Sequence, residues 1–448
     1  MERASGVLMH ISSLYGKYSC GAFSNNAKTF IDNLKKGGFK YWQVLPFCIT
    51  DDYNSPYKSY SAFSGNPNFI DLERLYEDGL ITKTDLDKAT QLSPYLCEFD
   101  RLKNERIKLL FKASKKFTKI AEMNEFYATH KETLEFCKFM ALKDANNGKP
   151  WYEWSTTKYD EKCYFAWQFI EYVFYTQWLE IKTYANNNGI KIIGDIPIYV
   201  DHDSADVWAN PSLFQLDKNY KPKAIAGVPP DYFSADGQVW GNPLYNYKEM
   251  KKDGYAWWKK RIAFTGELFD AVRIDHFRAI ETYYAIPYGD KTAKNGKWVK
   301  GPGMSLINEI KKVAKNTMII AEDLGEITDD VRKLLKKSGF PGMRVLQFAF
   351  MGENSTHLPH NYVNNTVAYT GTHDNNTLLG YIWELDEQTR HRVLEYFDYH
   401  GEWDNCYDAI IKGMMRSTAG IVVFPIQDLL KFGADTRLNT PGNGEKNW

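Results

Sequence analysis

The sequence has no long hydrophobic run and few cysteines. Nowhere do about 18 apolar residues follow one another, so we expect no transmembrane helix. The N-terminus also lacks the apolar stretch of a secretion signal. Six cysteines are scattered through 448 residues without a Cys-x-x-Cys pair, and a chain of this length needs no disulfides to hold its core. We therefore expect reduced thiols in a cytoplasmic protein that binds no membrane.

Signatures of several function classes are missing as well. Basic and acidic residues number 56 each, which gives no basic surface for nucleic acid. The nine histidines form no His-Glu-x-x-His motif and no Cys/His cluster, so we expect no bound metal. A Walker phosphate loop and a Gly-x-Gly-x-x-Gly turn are absent, and we expect no cofactor. Nothing in the sequence specifies an oligomeric state.

Short apolar runs rich in β-branched residues recur along the chain, and most end in a polar or charged residue. Several are almost continuously apolar, which is typical of parallel strands buried on both faces. Segments with helical periodicity lie between them, such as the one that follows the first run and carries Ala27, Ile31 and Leu34 on one face. Eight strands alternating with helices predict an α/β fold, a (β/α)₈ TIM barrel, with a doubly wound open sheet as the alternative. The predicted strands are residues 6–10, 41–46, 192–200, 271–277, 318–324, 343–350, 366–374 and 420–428.

Two gaps between these strands are much longer than a simple crossover requires. The chain after the second strand is helix-like, which predicts a mostly helical insertion. The chain after the third is rich in Pro, Gly, Asn, Asp and aromatics, which predicts a loop-rich insertion beside a site. The resulting division is 1–71 (first part of the barrel), 72–184 (helical insertion), 185–200 (third strand), 201–255 (loop-rich insertion over the site) and 256–448 (remainder of the barrel).

Four carboxylates lie in or at the ends of predicted strands, which is where barrel enzymes carry their function. Asp275, Glu322 and Asp374 end strands four, five and seven, and Asp195 lies inside the apolar third strand. Carboxylates in such runs are costly to bury unless they are paired or functional. Any one of them alone could simply be a hydrogen-bonded acid at a strand end, but four such acids on strands three, four, five and seven favour a catalytic site.

The surroundings of two of these acids predict different protonation states. Residues two apart on a strand point the same way, so Arg273 should face Asp275 and favour its ionised form, which a nucleophile requires. If Glu322 faces the same cavity, its apolar neighbours and the second carboxylate should raise its pKa, as a general acid requires. Two carboxylates with divided roles are the basis of glycoside chemistry. Binding of Mg²⁺ or Ca²⁺ is an alternative, which the positive charge of Arg273 disfavours.

At these residues the chain resembles the amylomaltases, also called disproportionating enzymes or 4-α-glucanotransferases (glycoside hydrolase family 77). The resemblance runs along nearly the whole chain, and its most specific part is Ala-Gly-Val-Pro-Pro-Asp-Tyr-Phe. The matching motifs are Ser-Pro-Tyr at 55–57, Ser-Ala-Phe-Ser-Gly-Asn-Pro at 61–67, Gly-Asp-Ile-Pro-Ile-Tyr-Val at 194–200, Asp-Ser-Ala-Asp-Val-Trp at 203–208, Ala-Gly-Val-Pro-Pro-Asp-Tyr-Phe at 226–233, the segment 238–245, Arg-Ile-Asp-His-Phe-Arg at 273–278, Ala-Glu-Asp-Leu-Gly at 321–325, Thr-His-Asp-Asn at 372–375 and Arg-Leu-Asn-Thr-Pro-Gly at 437–442.

The resemblance implies a retaining 4-α-glucanotransferase that moves a segment of an α-1,4-glucan to the 4-OH of an acceptor glucose or glucan. Maltooligosaccharides would be both donors and acceptors. It implies that Asp275 is the nucleophile, Glu322 the acid/base and Asp374 a third acid that holds sugar hydroxyls and favours a distorted ring. The implied substrate contacts are Ser55, Tyr57, Asp195, Tyr232, Gln238, Trp240, Arg273, His276, Asp323, His373 and Asn439.

Two segments bear on how such an enzyme would work. Residues 226–240 look like the family's loop over the site, with paired prolines and two adjacent aromatic residues. Only about 20 residues follow the eighth predicted strand, so we expect the last barrel helix to be missing. The carboxylates alone do not separate a transferase from an α-glucan hydrolase, and an inactive glucan-binding relative is a third possibility.

Overall fold

The computed structural model describes residues 1–50, 53–93, 96–230, 234–352, 355–442 and 447–448. These residues form twelve strands. They are β1 (Ala4–Leu8), β2 (Tyr41–Gln43), β3 (Lys191–Ile196), β4 (Ala224–Val228), β5 (Gln238–Pro243), β6 (Ala271–Ile274), β7 (Thr282–Pro287), β8 (Lys297–Lys300), β9 (Met318–Ala321), β10 (Gly342–Val345), β11 (Thr366–Tyr369) and β12 (Ile421–Pro425).

Eight of the strands close into a parallel barrel in the order β1-β12-β11-β10-β9-β6-β3-β2. Each corresponds to one of the strands expected from the sequence, so the (β/α)₈ prediction is confirmed and the open sheet is excluded. Every residue of β6, β11 and β12 is buried, which explains why their sequences are almost continuously apolar.

Helices lie between most of the barrel strands, and local sequence signals define their ends. Ser24 accepts a hydrogen bond from the Asn26 N–H and begins the first helix, which buries Ala27, Ile31 and Leu34 as expected. The helices are α1 (Asn25–Lys36), α2 (Leu72–Glu77), α3 (Lys83–Lys88), α4 (Phe99–Ser114), α5 (Ile120–Thr129), α6 (Lys131–Ala145), α7 (Glu161–Asn187), α8 (Ala205–Ala209), α9 (Tyr247–Lys252), α10 (Ala256–Leu268), α11 (Met304–Val313), α12 (Asp329–Ser338), α13 (Leu378–Glu384), α14 (Glu387–Tyr396), α15 (Tyr407–Arg416) and α16 (Ile426–Leu429).

The two long gaps contain the insertions that the sequence predicted. Helices α2 to α7 lie between β2 and β3, and α7 alone has 27 residues. Large aromatic side chains, among them Phe136, Phe169 and Trp178, are fully buried in this part. The chain after β3 consists mainly of loops and short elements up to α10. Much of the high aromatic content therefore fills the core between the helices and the barrel.

A second sheet, which sequence reasoning did not anticipate, stands beside the barrel. It is antiparallel, with the strand order β5-β4-β7-β8. Most residues of β5 and β8 are partly or fully exposed, so these strands lack the regular apolar alternation by which a half-buried strand is recognised. The loop-rich insertion thus contributes two strands, and two more come from the chain after β6.

The described chain after β12 contains only short helical elements. These are the four-residue helix α16 and a 3₁₀ turn over Ala434–Thr436. Within the residues that the structure describes, no helix is both long and apolar enough to cross a membrane.

Candidate active site

The candidate acids lie at the carboxyl ends of neighbouring barrel strands. Asp275 directly follows β6 and Glu322 directly follows β9, and these two strands are hydrogen-bonded to each other. Asp374 lies five residues beyond β11, where the prediction had extended the strand too far. The chain leaves the strand earlier because the Asn375 side chain accepts a hydrogen bond from the Thr372 N–H at 2.9 Å and closes a turn. The three acids nevertheless line one cleft.

A left-handed residue connects the first two acids. His276 has φ of 54°, a conformation that is unfavourable for a side chain of this size and tends to occur at functional sites. Its backbone N–H donates to Glu322 Oε2 at 2.7 Å, and the Leu324 N–H donates to Oε1 at 2.7 Å. The strained turn after β6 therefore fixes the Glu322 carboxyl beside Asp275.

Arg273 connects two carboxylates at the base of the cleft. Its Nη1 donates to both oxygens of Asp195, at 2.9 and 2.6 Å, and its Nη2 donates to Asp275 Oδ1 at 2.6 Å. Tyr57 Oη donates to Asp195 Oδ2 at 2.6 Å. The expected pairing of Arg273 with Asp275 on one strand face is confirmed. The guanidinium and Asp195 are almost completely buried, whereas the Asp275 side chain is 32% exposed. The free side of Asp275 therefore faces the cleft.

The surroundings of two of the acids shift their pKa values in opposite directions. Burial and the nearby Asp275 carboxylate raise the pKa of Glu322 to about 7, although Arg273 and the two backbone donors oppose the shift. Burial would also raise the pKa of Asp374, but His373 and Asn439 outweigh it and hold that pKa well below its usual range. Near neutral pH the cleft therefore contains an acid that can give or take a proton and a permanently ionised carboxylate.

Asp374 is held in a cluster of polar and aromatic side chains. Asn439 Nδ2 donates to its Oδ1 at 2.6 Å, and His373 Nε2 lies 3.3 Å from its Oδ2. The His373 ring is stacked on the Tyr57 ring with centroids 5.2 Å apart. Because 46% of the Asp374 side chain is exposed, its carboxylate remains available to a ligand.

The cleft around these acids has a volume of about 930 Å³, within the range of ligand pockets. Aromatic and polar side chains line it on several sides. The Trp240 ring packs edge-on against the His276 ring at 4.8 Å, and Trp240 Nε1 donates to Gln238 Oε1 at 3.0 Å. The residues predicted from the sequence that line the cleft are Ser55, Tyr57, Gln238, Trp240, Arg273, Asp275, His276, Glu322, His373, Asp374 and Asn439.

Three other predicted residues are placed differently. Asp195 lies behind the cleft wall and reaches it through Tyr57 and Arg273. Asp323 is not brought into the cleft, because its carboxylate pairs with Arg344 at 2.9 Å and accepts the Met343 N–H at 2.6 Å. Tyr232 lies outside the described residues.

Several lining residues were not singled out from the sequence. Arg278 lies 3.8 Å from the centroid of the Trp298 ring, and both side chains line the cleft, as do Phe348 and Trp448. Arg278 lies in the Arg-Ile-Asp-His-Phe-Arg motif, three residues after Asp275, so the sequence could have pointed to it as a cleft residue. Trp298 could not be found in this way because its strand belongs to the unanticipated sheet.

The polar contacts of the described cleft acids are with other protein groups. In the described ranges, His, Cys, Asp and Glu side chains nowhere gather in groups of three or more that could hold a metal ion. The observed contacts of the cleft acids are with Arg273, His373, Asn439 and backbone amides instead.

Comparison with known proteins identifies the family. The model of a family described as 4-alpha-glucanotransferase matches residues 9–448. The chain belongs to this family. A 4-alpha-glucanotransferase of Clostridium butyricum is 42% identical, and the match covers 98% of this chain and 94% of that protein. One from Streptococcus pneumoniae is 43% identical, with 100% of this chain and 92% of the relative covered.

Solved structures agree with this membership. The amylomaltase of Streptococcus agalactiae, solved in complex with acarbose, has a TM-score of 0.95 and 37% identity, covering 100% of this chain and 94% of that one. The amylomaltase of Corynebacterium glutamicum has a TM-score of 0.82 at 16% identity, covering 98% of this chain and 70% of that one, and supports the fold alone. The family resemblance read from the sequence is thus confirmed.

Proposed function

We propose that the protein transfers a segment of an α-1,4-glucan to the 4-OH of an acceptor glucose or glucan, with retention of anomeric configuration. The observation that carries this proposal is the pair of acids at the ends of β6 and β9. Asp275 is ion-paired with Arg273 and open to the cleft, while Glu322 is buried with a pKa of about 7. A retaining enzyme needs one carboxylate as nucleophile and one carboxylic acid about 5–5.5 Å away as proton donor.

The reaction then proceeds in two displacements. Asp275 attacks the anomeric carbon of the donor, and the Glu322 proton passes to the glycosidic oxygen as the C–O bond breaks. The product of this step is a glucan esterified to Asp275. Glu322, now ionised, takes the proton of the acceptor 4-OH, whose oxygen attacks the same carbon and releases Asp275. Together the two steps return Asp275 to the free carboxylate and Glu322 to its protonated form.

The Asp374 cluster would bind the reacting sugar. An ionised carboxylate accepts hydrogen bonds from two hydroxyls, and His373 and Asn439 fix its orientation. We assign other residues that line the cleft to substrate contacts: Tyr57 and Trp240 to ring faces, and Ser55, Gln238 and His276 to polar contacts. Tyr232, outside the described residues, stays a substrate contact that the family resemblance implies. Asp195 and Arg273 would orient Asp275. We assign no substrate contact to Asp323, because its pairing with Arg344 lies outside the cleft.

Transfer, and not hydrolysis, requires that an acceptor sugar reach the intermediate before water does. A cleft of about 930 Å³ lined by aromatic side chains supports that role, since a bound acceptor displaces water from the ester. We therefore propose maltooligosaccharides as both donors and acceptors.

Incubation of the purified protein with maltotriose, followed by chromatography, tests the proposal. We expect glucose together with a ladder of maltooligosaccharides longer than the substrate. Glucose and maltose without longer products would identify an α-glucan hydrolase. No product from a folded sample would identify a glucan-binding relative.

The pKa of Glu322 predicts a specific pH dependence. The first displacement needs the protonated acid, so kcat/KM for maltotriose should fall as the pH rises above about 7 and approach a tenfold loss per pH unit. The measurement is kcat/KM between pH 5 and pH 9 in buffers of constant ionic strength. A profile that stays flat up to pH 9 would contradict the assignment of Glu322.

Replacement of Arg273 by lysine tests the orientation of the nucleophile. A single ammonium group cannot reach both Asp195 and Asp275 in the way the guanidinium does. We expect kcat/KM for maltotriose to fall about 100-fold and the urea midpoint to fall as well, because a buried carboxylate loses part of its pairing. Arg344→Lys is the matched control, since it disturbs the pair with Asp323 outside the cleft. It should lower stability with less than a tenfold loss of activity. Equal activity losses in the two variants would contradict a special role for Arg273.

A further inference from the structure

Three exposed tyrosines form a surface patch outside the cleft. Tyr152, Tyr220 and Tyr288 expose 42%, 47% and 52% of their surface. They come from three segments: a 3₁₀ turn before α7, the turn that leads into β4, and the residue after β7. Exposed tyrosines are unremarkable when isolated, but a cluster of them calls for a ligand or partner. We call these three residues the tyrosine patch.

Buried neighbours hold two of the rings in place. Tyr152 is stacked on His202 with ring centroids 4.3 Å apart and an interplanar angle of 12°. The Trp151 ring contacts Tyr220 at 5.1 Å, and Trp151 Nε1 donates to the His202 carbonyl at 2.7 Å. His202 Nε2 is hydrogen-bonded to the Tyr220 carbonyl at 2.8 Å. The two tyrosines are therefore presented on a packed support.

The turn that carries Tyr220 is fixed in an unfavourable conformation. Tyr220 has φ of 62°, which is rare for an aromatic residue. Asp217 maintains the turn, because its side chain accepts the Asn219 and Lys221 N–H groups at 2.8 and 3.0 Å. A protein tolerates such strain only where the surrounding structure imposes it. The ring is thus held on the surface before any ligand arrives.

The third tyrosine emerges at the same edge of the antiparallel sheet. Pro287, the last residue of β7, pairs with Ala224, the first residue of β4, so the chain leaves the sheet toward Tyr288 at the edge where the chain from Tyr220 enters it. Burial of its own hydroxyl, followed by the charges of Asp203 and of Tyr288, raises the pKa of Tyr152 to about 12. Tyr288 therefore lies near enough to Tyr152 to act on its hydroxyl.

The charge around the patch restricts what it can bind. Asp201, Asp203 and Glu153 all act on the Tyr152 hydroxyl. Carboxylates repel phosphate groups but accept hydrogen bonds from sugar hydroxyls, and aromatic faces contact the C–H faces of sugars. Two of these carboxylates are paired with lysines, and three exposed lysines flank Tyr220, so charges of both signs surround the rings. The tyrosine faces and this mixed set of hydrogen-bonding groups fit a neutral, polyhydroxylated chain.

The patch also adjoins the cleft. Lys58 lines the cleft and pairs with Asp201 at 3.5 Å, and Asp201 directly precedes His202, on which Tyr152 is stacked. A glucan that extends beyond the reacting sugars can therefore reach the patch. A substrate of three sugars would occupy the cleft alone.

We propose that the tyrosine patch is a second binding site for α-1,4-glucan, which holds a distant part of a long chain while the cleft holds the reacting part. This inference rests on the proposed function. It predicts that the patch contributes to the binding of long glucans and contributes nothing to the reaction of short ones.

The test compares long and short substrates in a double variant, Tyr220→Asn with Tyr288→Ala. Asparagine tolerates a left-handed backbone, so the turn should persist. If two rings are lost, we expect KM for amylose to rise about five- to tenfold, while kcat and KM for maltotriose stay unchanged. In a native gel that contains glycogen, the double variant should be retarded less than the unaltered protein.

Tyr76→Ala is the matched control, because Tyr76 is 41% exposed and lies on α2, away from the patch. This substitution should change neither the kinetic constants for amylose and maltotriose nor the migration in the gel. An unchanged KM for amylose in the double variant, or an equal rise for maltotriose, would overturn the proposal. If the unaltered protein made no transfer products from maltotriose, the proposed function would fail. The difference in gel migration would still report on the patch.

Discussion

Asp275→Asn should abolish the transfer of glucan segments. The substitution keeps the size of the side chain and leaves an oxygen that can still accept from Arg273 Nη2, now 2.6 Å from Asp275 Oδ1. It removes the negative charge that attacks the anomeric carbon. Loss of a nucleophile commonly lowers the rate of covalent catalysis by about 10⁴-fold or more, and we expect an effect of this size on kcat for maltotriose.

The fold should survive this change, which separates a chemical defect from a structural one. Arg273 retains its two hydrogen bonds to Asp195, and the Asp275 side chain is already 32% exposed. The circular dichroism spectrum and thermal midpoint should therefore stay close to those of the unaltered protein. Asp323→Asn is the matched control, because that acid follows the neighbouring strand β9 by two residues but pairs with Arg344 outside the cleft. It should lose stability and keep most of its activity. A variant of Asp275 that retains a tenth of the activity would exclude it as the nucleophile.

The barrel and the positions of its strand-end acids could be predicted from local signals in the sequence, whereas most of the other cleft residues were implied by the family resemblance. Most residues of the eight barrel strands are buried, so their apolar runs stand out. A carboxylate at the end of a strand, such as Asp275 or Glu322, has a known position once the strands are known. The pairing of Arg273 with Asp275 followed from the alternation of side chains on a strand.

What could not be predicted depends on contacts between distant parts of the chain. The sheet β5-β4-β7-β8 has partly exposed strands, so no periodic pattern revealed it, and Trp298 was missed with it. Asp323 stands beside Glu322 in the sequence, yet Arg344 on the neighbouring strand draws its side chain away from the cleft. The support of Tyr152 by His202 joins residues 50 positions apart. None of these contacts leaves a signal in the local sequence.

Glu322→Gln should also remove transfer from natural substrates, but in a way that depends on the leaving group. Glutamine cannot protonate the departing sugar oxygen, so we expect kcat/KM for maltotriose to fall about 10³-fold. α-Maltosyl fluoride needs little or no proton donation, because fluoride leaves as an anion. Formation of the ester on Asp275 should therefore continue with this substrate. The variant should also lack the fall in kcat/KM above about pH 7, since the group that titrates there is gone.

The second displacement provides a further test of Glu322 as the acid/base. Without Glu322 no side chain removes the proton from an acceptor hydroxyl, so the glycosyl-enzyme formed from α-maltosyl fluoride should accumulate. Mass spectrometry should find one maltosyl group on the peptide that contains Asp275. Azide is a nucleophile that needs no base, and its addition should restore turnover with α-maltosyl azide as the product. Asp275→Asn, in contrast, should form no ester with the fluoride and gain nothing from azide by this route. Equal losses on maltotriose and α-maltosyl fluoride, with no trapped ester, would contradict the role of Glu322 as the acid/base and leave it as a residue that only binds substrate.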